Sequence, residues 1–220
     1  MLKNYELYTE YASYDYAINE TETENNILCA FKANIKNFSV LPYSLSSIKN
    51  LEMFKDQNIS VGCPIDFPYG LSDLKSRNFM VSQAIKSGAN VVDLVIPSKV
   101  ITNRKYDKFR EDIKNNFDTC FEKNVKLRYI LEYRIFNHEI LAKVCQILMS
   151  LGIDTVLPSS GMMIDDINDN IIACNYFLTK TGINVICNGN FFTQNHIKVI
   201  KKSNLYGLRI HHLRGVDILQ

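Results

Sequence analysis

The fold is decided by the stretch Asp66–Ile101, which reads DFPYGLSDLKSRNFMVSQAIKSGANVVDLVIPSKVI. Within it, Asp73–Ser87 spaces its apolar residues in the way that is typical of an amphipathic helix. The helix leads into Val91–Pro97, VVDLVIP, a β-branched and apolar run that predicts a strand buried on both faces. Strands of that kind are typical of a parallel sheet covered by helices. This stretch therefore predicts one repeat of an α/β fold.

The same alternation of short β-branched runs and helical stretches continues along the chain. The further predicted strands are Phe38–Pro42, Ile59–Cys63, Lys126–Glu132, Thr155–Leu157, Asn184–Cys187 and Tyr206–Ile210. The further predicted helices are Lys105–Lys123, Asn137–Leu151 and Thr193–Lys202. About eight such units in a chain of this length favour a closed barrel over an open sheet. We therefore expect a single (β/α)8 TIM barrel domain spanning residues 1–220.

Composition is ordinary for a globular protein. Apolar residues make up 46% of the 220 residues, charged residues make up 22%, and the formal net charge is +2. Such a small charge gives no indication of nucleic-acid binding. No apolar run approaches the roughly 18–20 residues of a membrane span, and Met1–Tyr16 lacks the basic-then-apolar order of a signal peptide. We expect a cytoplasmic protein with neither a nucleic-acid nor a membrane partner.

The sequence offers no motif for a metal ion or a cofactor. Its six cysteines are scattered, without a C-x-x-C pair or a histidine at metal-ligand spacing. Neither G-x-G-x-x-G nor G-x-x-x-x-G-K-[ST] occurs. We therefore interpret the cysteines as reduced, mostly buried thiols and expect no metal and no cofactor.

A carboxylate, Asp93, interrupts the apolar strand VVDLVIP. Burying it costs on the order of several kcal/mol unless it is paired or hydrogen-bonded. Arg128 and Glu132 lie four residues apart in a predicted strand and so point to one face. If that face is inward, the three residues form a charged cluster in the barrel lumen. The cluster would be either a structural unit or an anion clamp, and we take all three as candidate catalytic residues.

Basic residues follow the last predicted strand, in LRIHHLRG. They are Arg209, His211, His212 and Arg214. In a barrel the loops after the last two strands often bind phosphate, which makes this segment a candidate anion site. The alternative is a solvated basic turn, and the sequence leaves both open.

Several segments resemble, in order, the motifs of the deoxyribose-phosphate aldolases. Asp66–Ile101 is similar to that family's F-P-x-G, helix and G-A-x-E-[IV]-D-x-V. The other similar segments are KLRYILEY (Lys126–Tyr133), LGIDTVLPSSG (Leu151–Gly161), NVICNGNFFT (Asn184–Thr193), and YDYAIN (Tyr14–Asn19) with ILC (Ile27–Cys29) as first strand and following helix. The resemblance covers nearly the whole chain and implies a barrel of the class I aldolase type.

The resemblance carries over only part of the family's chemistry. That chemistry uses a lysine that forms a Schiff base with the substrate carbonyl, a second lysine that activates the first, and an aspartate for proton transfer. The aspartate matches Asp93, and a strand lysine falls on Arg128. The Schiff-base lysine of K-T-S-T-G falls on Leu157 and the activating lysine of K-P-A-G-G on Ile186, and neither side chain can form an imine.

The resemblance also implies a partial ligand site. Gly161 and Gly189 match glycines whose backbone approaches the phosphate, and Asp15 matches the aspartate of the first-strand motif. The second glycine of the G-G pair is replaced by Asn190, and the small turn after the last strand is replaced by IHHL, around His211 and His212. Because histidine fills space that glycine leaves open, we expect the family's pocket to be partly filled or reshaped.

Three functions remain open from the sequence. The chain is a barrel without aldolase activity that binds a small anionic or sugar-phosphate ligand or a protein partner, an enzyme with other chemistry, or an active aldolase with a relocated lysine. An active aldolase would be an aldehyde-lyase that cleaves 2-deoxyribose 5-phosphate to glyceraldehyde 3-phosphate and acetaldehyde. Lys99, just past VVDLVIP, lies at the correct end of a barrel for that lysine, whereas Lys126 lies at the wrong end. A homodimer is expected if an apolar helix face is exposed.

Overall fold

The computed structural model describes residues 7–163, 165–191 and 193–219. Eight strands form a closed barrel in which every neighbouring pair is parallel and the last strand pairs with the first. The strands are β1 (Tyr8–Ser13), β2 (Asn37–Val40), β3 (Ser60–Ile65), β4 (Val91–Val95), β5 (Lys126–Ile130), β6 (Thr155–Leu157), β7 (Asn184–Gly189) and β8 (Gly207–Ile210). The predicted (β/α)8 TIM barrel is confirmed.

Helices connect the strands and surround the barrel. They are α1 (Glu20–Lys32), α2 (Leu45–Lys49), α3 (Leu74–Lys86), α4 (Ser98–Thr102), α5 (Tyr106–Phe121), α6 (His138–Ser150), α7 (Ile167–Thr181), α8 (Gln194–Lys202) and α9 (Leu213–Asp217). Two short 3-10 turns, Pro42–Ser44 and Glu52–Lys55, lie before and after α2. No helix in these ranges is long and apolar enough to cross a membrane.

Side chains in the connecting loops fix where the helices begin. Asp73 caps α3, and its carboxylate accepts hydrogen bonds from the backbone N–H groups of Lys75 and Ser76. Asn19 and Glu22 form a reciprocal capping box at the start of α1. Such caps satisfy backbone donors that have no partner within the helix. The helices therefore start directly after the loops that leave the carboxyl ends of the strands.

Successive side chains of each strand point alternately to the helices and to the lumen, and this divides the core into two parts. In β5, Leu127 and Tyr129 face the surrounding helices, whereas Arg128 and Ile130 face the lumen. The large core lies between sheet and helices, and a small second apolar cluster lies within the barrel. This alternation decides which polar side chains enter the lumen.

The first strand differs from the prediction. It is formed by Tyr8–Ser13, not by Tyr14–Asn19. In the latter segment, the Asp15 carboxylate accepts a hydrogen bond from the Ala17 N–H at 2.8 Å, and Asn19 caps α1. These local hydrogen bonds favour a turn and a helix start over an extended strand. The other seven predicted strands are confirmed, and no end is shifted by more than two residues.

Candidate functional site at the carboxyl ends of the strands

Four charged side chains meet inside the barrel and are called here the ion square: Glu10, Asp93, Arg128 and Arg209. Glu10 on β1 is in register with Arg209 on β8, and Asp93 on β4 is in register with Arg128 on β5. All four side chains are buried. The two pairs lie on opposite sides of the lumen and reach across it to each other.

Each arginine of the ion square binds both carboxylates. Arg128 donates from Nε to Asp93 Oδ1 at 2.6 Å, from Nη2 to Asp93 Oδ2 at 3.0 Å, and from Nη2 to Glu10 Oε1 at 2.9 Å. Arg209 donates from Nε to Glu10 Oε2 at 2.7 Å, and its Nη2 also donates to Asp93 Oδ2. Two positive and two negative charges therefore compensate each other without solvent.

Tyrosine hydroxyls bind the remaining guanidinium nitrogens. Arg128 Nη1 donates to Tyr8 Oη at 3.1 Å, and Arg209 Nη1 donates to Tyr14 Oη at 3.0 Å. Burial alone would raise the pKa of Asp93, but the charges of Arg128 and Arg209 outweigh it and hold that pKa below its ordinary value. Asp93 is therefore a fully bonded carboxylate, which is unsuited to donating a proton at neutral pH.

The lumen next to the ion square is apolar. Val95, Ile130, Leu157 and Ile186 are fully buried and form one cluster, against which Tyr8 and Phe67 pack. Leu157 and Ile186 are the residues that stand where the resemblance expects lysines. Throughout the described ranges, every lysine is exposed except Lys49, which is half-buried. No described lysine enters the lumen.

Glu132 does not join the ion square. It lies beyond the end of β5 in the left-handed region, with φ of 57°, so the alternation of the strand no longer sets its direction. One carboxylate oxygen, Oε1, accepts a hydrogen bond from the Ser160 N–H, and the other, Oε2, has no hydrogen-bond partner among the described residues. Burial raises the pKa of Glu132 above its ordinary value, and the nearby charge of Asp165 acts in the same direction.

A second polar network lies where β6 and β7 end. The buried amide of Asn170 on α7 donates to Asp165 Oδ2 at 2.8 Å, to the Asn188 backbone oxygen at 2.8 Å and to Ser159 Oγ at 3.2 Å. The Tyr133 hydroxyl donates to the other oxygen of Asp165. Asn170 thus ties the loop after β6 to the end of β7.

A cavity of about 390 Å³ opens beside this network and is called here the β6–β7 cavity. Its described lining residues are Gly161, Met163, Asp165, Asp166, Ile167, Asn168, Gly189, Asn190 and His196. Gly161, Gly189 and Asn190 are three of the residues for which ligand binding was predicted. Cavities at this end of a parallel barrel are the usual location of binding sites, which makes this one the candidate functional site.

The other predicted ligand residues lie elsewhere. Arg209 belongs to the ion square, and Asp15 lies exposed in the turn after β1. His212 caps α9, where its Nδ1 accepts a hydrogen bond from the Gly215 N–H at 3.0 Å. Arg214, in the same short helix, is exposed. In the segment LRIHHLRG, Arg209 therefore points into the lumen and His212 caps a helix. Arg209 points inward because it lies in β8, where successive side chains alternate between the two faces of the sheet.

His211 fills space next to Gly161. A Cβ atom at Gly161 would lie 2.7 Å from His211 Nε2, and Gly161 has φ of 78°, so no larger residue fits there without displacement. The imidazole Nε2 forms a hydrogen bond with Asn188 Oδ1. Burial and then the charge of Arg209 lower the pKa of His211 to about 3, so the ring is neutral at physiological pH.

Sequence reasoning missed Glu10, Asp165 and Asn170. Glu10 lies in YTEYAS, where two tyrosines and a threonine, which are residues common in strands, are the available signal. Asp165 and Asn170 act through contacts between distant loops, and no sequence spacing indicates such contacts. Because Tyr14–Asn19 was expected to form the first strand, Glu10 was not considered as a lumen residue.

Similarity to known proteins agrees with this geometry. No protein-family model matches the chain. The deoxyribose-phosphate aldolase of Bdellovibrio bacteriovorus is 32% identical over 135 residues, which are 61% of this chain and 60% of the relative. That of Caldicellulosiruptor saccharolyticus is 30% identical over 146 residues, which are 65% and 66% of the two chains. The chain thus matches about three fifths to two thirds of the length of these curated relatives.

Solved structures extend the likeness to the whole fold. The aldolase QR15 superposes with a TM-score of 0.84 over 96% of this chain and 92% of its own, at 20% identity. The tetrameric deoxyribose phosphate aldolase from Aeropyrum pernix superposes with a TM-score of 0.78 over 96% and 87%, at 12% identity. The molecule is a (β/α)8 barrel of the aldolase type. In sequence, the chain is similar to deoxyribose-phosphate aldolases over part of their length.

Proposed function

We propose that this barrel forms no imine and instead binds a small polar ligand non-covalently in the β6–β7 cavity. The observation that carries the proposal is the position of the lysines. All described lysines are exposed or, for Lys49, half-buried, while Leu157 and Ile186 lie fully buried in an apolar cluster. Schiff-base chemistry needs a lysine whose amine reaches the enclosed substrate and has a lowered pKa, and the described lumen holds none.

The two lysines considered as replacements support the same proposal. Lys126 lies at the amino end of β5, 3.6 Å from Asp154 and 5.4 Å from the centre of the Tyr206 ring. Lys99 follows β4 at the carboxyl end but is exposed on α4. Its location at the mouth favours Lys99 as the nucleophile in the alternative function, an active aldolase acting on a 2-deoxy sugar phosphate.

The ion square also supports a non-covalent function. A residue that shuttles protons must change its protonation during the reaction, and such groups have pKa values near the working pH. Asp93 instead has a lowered pKa and two arginine partners. We interpret Asp93 and Arg128 as structural groups, and Glu132, which has a raised pKa, as the predicted catalytic residue that lies outside the ion square.

The experiment is borohydride reduction of the protein with 2-deoxyribose 5-phosphate or acetaldehyde, followed by intact-mass measurement. The proposal predicts no more adduct than on the Lys99→Arg variant, which retains the charge but cannot form an imine with the substrate. A single stoichiometric adduct that is absent from Lys99→Arg would establish the active aldolase instead. A single stoichiometric adduct that persists in that variant would place the nucleophile on another lysine and equally contradict the proposal.

A further inference from the structure

The β6–β7 cavity is poorly suited to an anion. Among its described lining residues there is no lysine or arginine, whereas Asp165 and Asp166 both contribute carboxylates. The imidazole of His196 also lines it and interacts electrostatically with Asp166. A phosphate ester entering this cavity would meet two carboxylates without an opposing guanidinium or ammonium group.

The amino end of α7, which could have attracted a phosphate, already holds a carboxylate. Asp166 caps this helix and accepts hydrogen bonds from the backbone N–H of Asn168 at 2.8 Å and of Asp169 at 3.4 Å. Helix amino ends bind anions through these same N–H groups. The side chain of Asp166 has therefore taken the position that a phosphate would need.

The basic residues expected to hold an anion are engaged elsewhere. Arg209 is bound by both carboxylates of the ion square, and His211 is bound to Asn188 and packed against Gly161. His212 caps α9. Ile167 closes part of the remaining space, since a Cβ atom at Gly189 would lie 3.3 Å from Ile167 Cδ1.

A buried carboxyl group contacts the chain segment that forms the cavity wall. Glu132 is 1% exposed, and its Oε2 has no hydrogen-bond partner among the described residues. Its other oxygen is bound to the N–H of Ser160, and Ser160 immediately precedes Gly161 in the cavity wall. Buried polar atoms are seldom left without a partner unless a ligand or water supplies one.

We infer that the β6–β7 cavity takes a neutral, hydroxyl-rich small molecule, a sugar or polyol without a phosphate group. This inference rests on the proposed non-covalent binding function and specifies its ligand. Hydroxyl groups both donate and accept, so they fit the carboxylates of Asp165 and Asp166 as well as the side-chain amides of Asn168 and Asn190.

The test compares neutral sugars and polyols with their phosphate esters by calorimetry at fixed ionic strength. The panel is 2-deoxyribose, ribose, glycerol, 2-deoxyribose 5-phosphate, ribose 5-phosphate, glycerol 3-phosphate, glucosamine and inorganic phosphate. At least one neutral member should bind about tenfold or more tightly than its own phosphate ester, because the ester adds repulsion by two carboxylates. Inorganic phosphate should not compete.

A matched pair of variants separates the effect of cavity charge on binding from any effect on folding. Asp166→Asn removes a cavity charge but keeps a side chain that caps helices equally well, so the fold is retained. It should strengthen binding of the phosphate ester about fivefold. Asp169→Asn changes the same helix turn but not the cavity, and it should leave the affinity unchanged.

Several results would overturn the inference. They are tighter binding of a phosphate ester than of its neutral parent, tighter binding of the glucosamine cation than of any neutral sugar, no binding of any neutral member, and no difference between the two variants. These results concern non-covalent affinity, and none of them requires a borohydride adduct. Failure of this inference is therefore distinguishable from failure of the proposed function.

Discussion

The ion square and the β6–β7 cavity are two polar regions of one barrel, and they differ in how completely their groups are paired. In the ion square, all four carboxylate oxygens of Glu10 and Asp93 accept hydrogen bonds from arginine. Next to the cavity, Glu132 Oε2 has no partner among the described residues, and Asn190 is exposed. A charged residue in a lumen therefore indicates function only when some of its hydrogen-bonding capacity is left for a ligand.

This comparison explains how Asp93, which the resemblance aligns with a catalytic aspartate, can have the structural role that we propose for it. Two guanidinium groups hold it as an anion, and the apolar cluster of Val95, Ile130, Leu157 and Ile186 lies beside it. Such a carboxylate stabilises the barrel only as long as both arginines remain. Substitutions in the ion square and near the β6–β7 cavity should therefore have different effects.

The largest effect is expected for Arg128→Met. The variant leaves Asp93 and Glu10 with one guanidinium for two buried carboxylates, and it should lower the free energy of unfolding by about 3–5 kcal/mol. Urea denaturation followed by circular dichroism measures the change. Arg110→Met on the exposed face of α5 is the matched control and should cost less than about 0.5 kcal/mol. Equal losses in the two variants would show that the ion square is not structural.

A smaller effect is expected from the pH dependence of His211. Its pKa is about 3 in the folded protein and about 6.5 in the unfolded chain, so only the unfolded chain gains a proton between these values. The stability that neutral His211 provides is present above pH 6.5 and is lost as the pH falls, by about 1 kcal/mol per pH unit.

The measurement for His211 is the unfolding free energy of wild type and His211→Gln at pH 7, 6 and 5. The variant should lose less stability on acidification, because glutamine does not titrate. Glu132 has the opposite sign, since its raised pKa lets the folded state bind the extra proton. The difference between the two proteins removes that contribution. If wild type and His211→Gln lost equal stability between pH 7 and pH 5, His211 would be protonated in the folded state.

Much of the fold could be predicted because parallel barrels have a strong local signal. VVDLVIP and KLRYILE were identified as strands since buried parallel strands are apolar over most of their length. A lumen cluster of Asp93 and Arg128 was predicted on the condition that the face of Arg128 points inward. β1 could not be identified in the same way. Its sequence YTEYAS lacks a continuous apolar run, and it can bury Glu10 only because arginines that come more than a hundred residues later neutralise that charge.

The candidate site was less predictable than the fold. Gly161, Gly189 and Asn190 could be found because they match family motif positions near the ends of β6 and β7, and all three line one cavity. Glu132 was placed with Asp93 on the assumption that β5 continues, but the chain leaves the strand after Ile130. The ligand roles of these residues, the homodimer and the cytoplasmic location stay predictions.

The structural role proposed for the ion square is tested most directly by comparing the unfolding free energies of Asp93→Asn and Glu132→Gln. Both variants replace a buried carboxyl group by an amide of the same shape. Asp93→Asn should cost about 3 kcal/mol or more, because it leaves an arginine charge of the ion square uncompensated. Glu132→Gln should cost less than about 1 kcal/mol, since its amide oxygen can still accept from Ser160 and no ion pair is lost. Equal losses, or a larger loss for Glu132→Gln, would contradict the division of this barrel into a structural ion square and a ligand cavity.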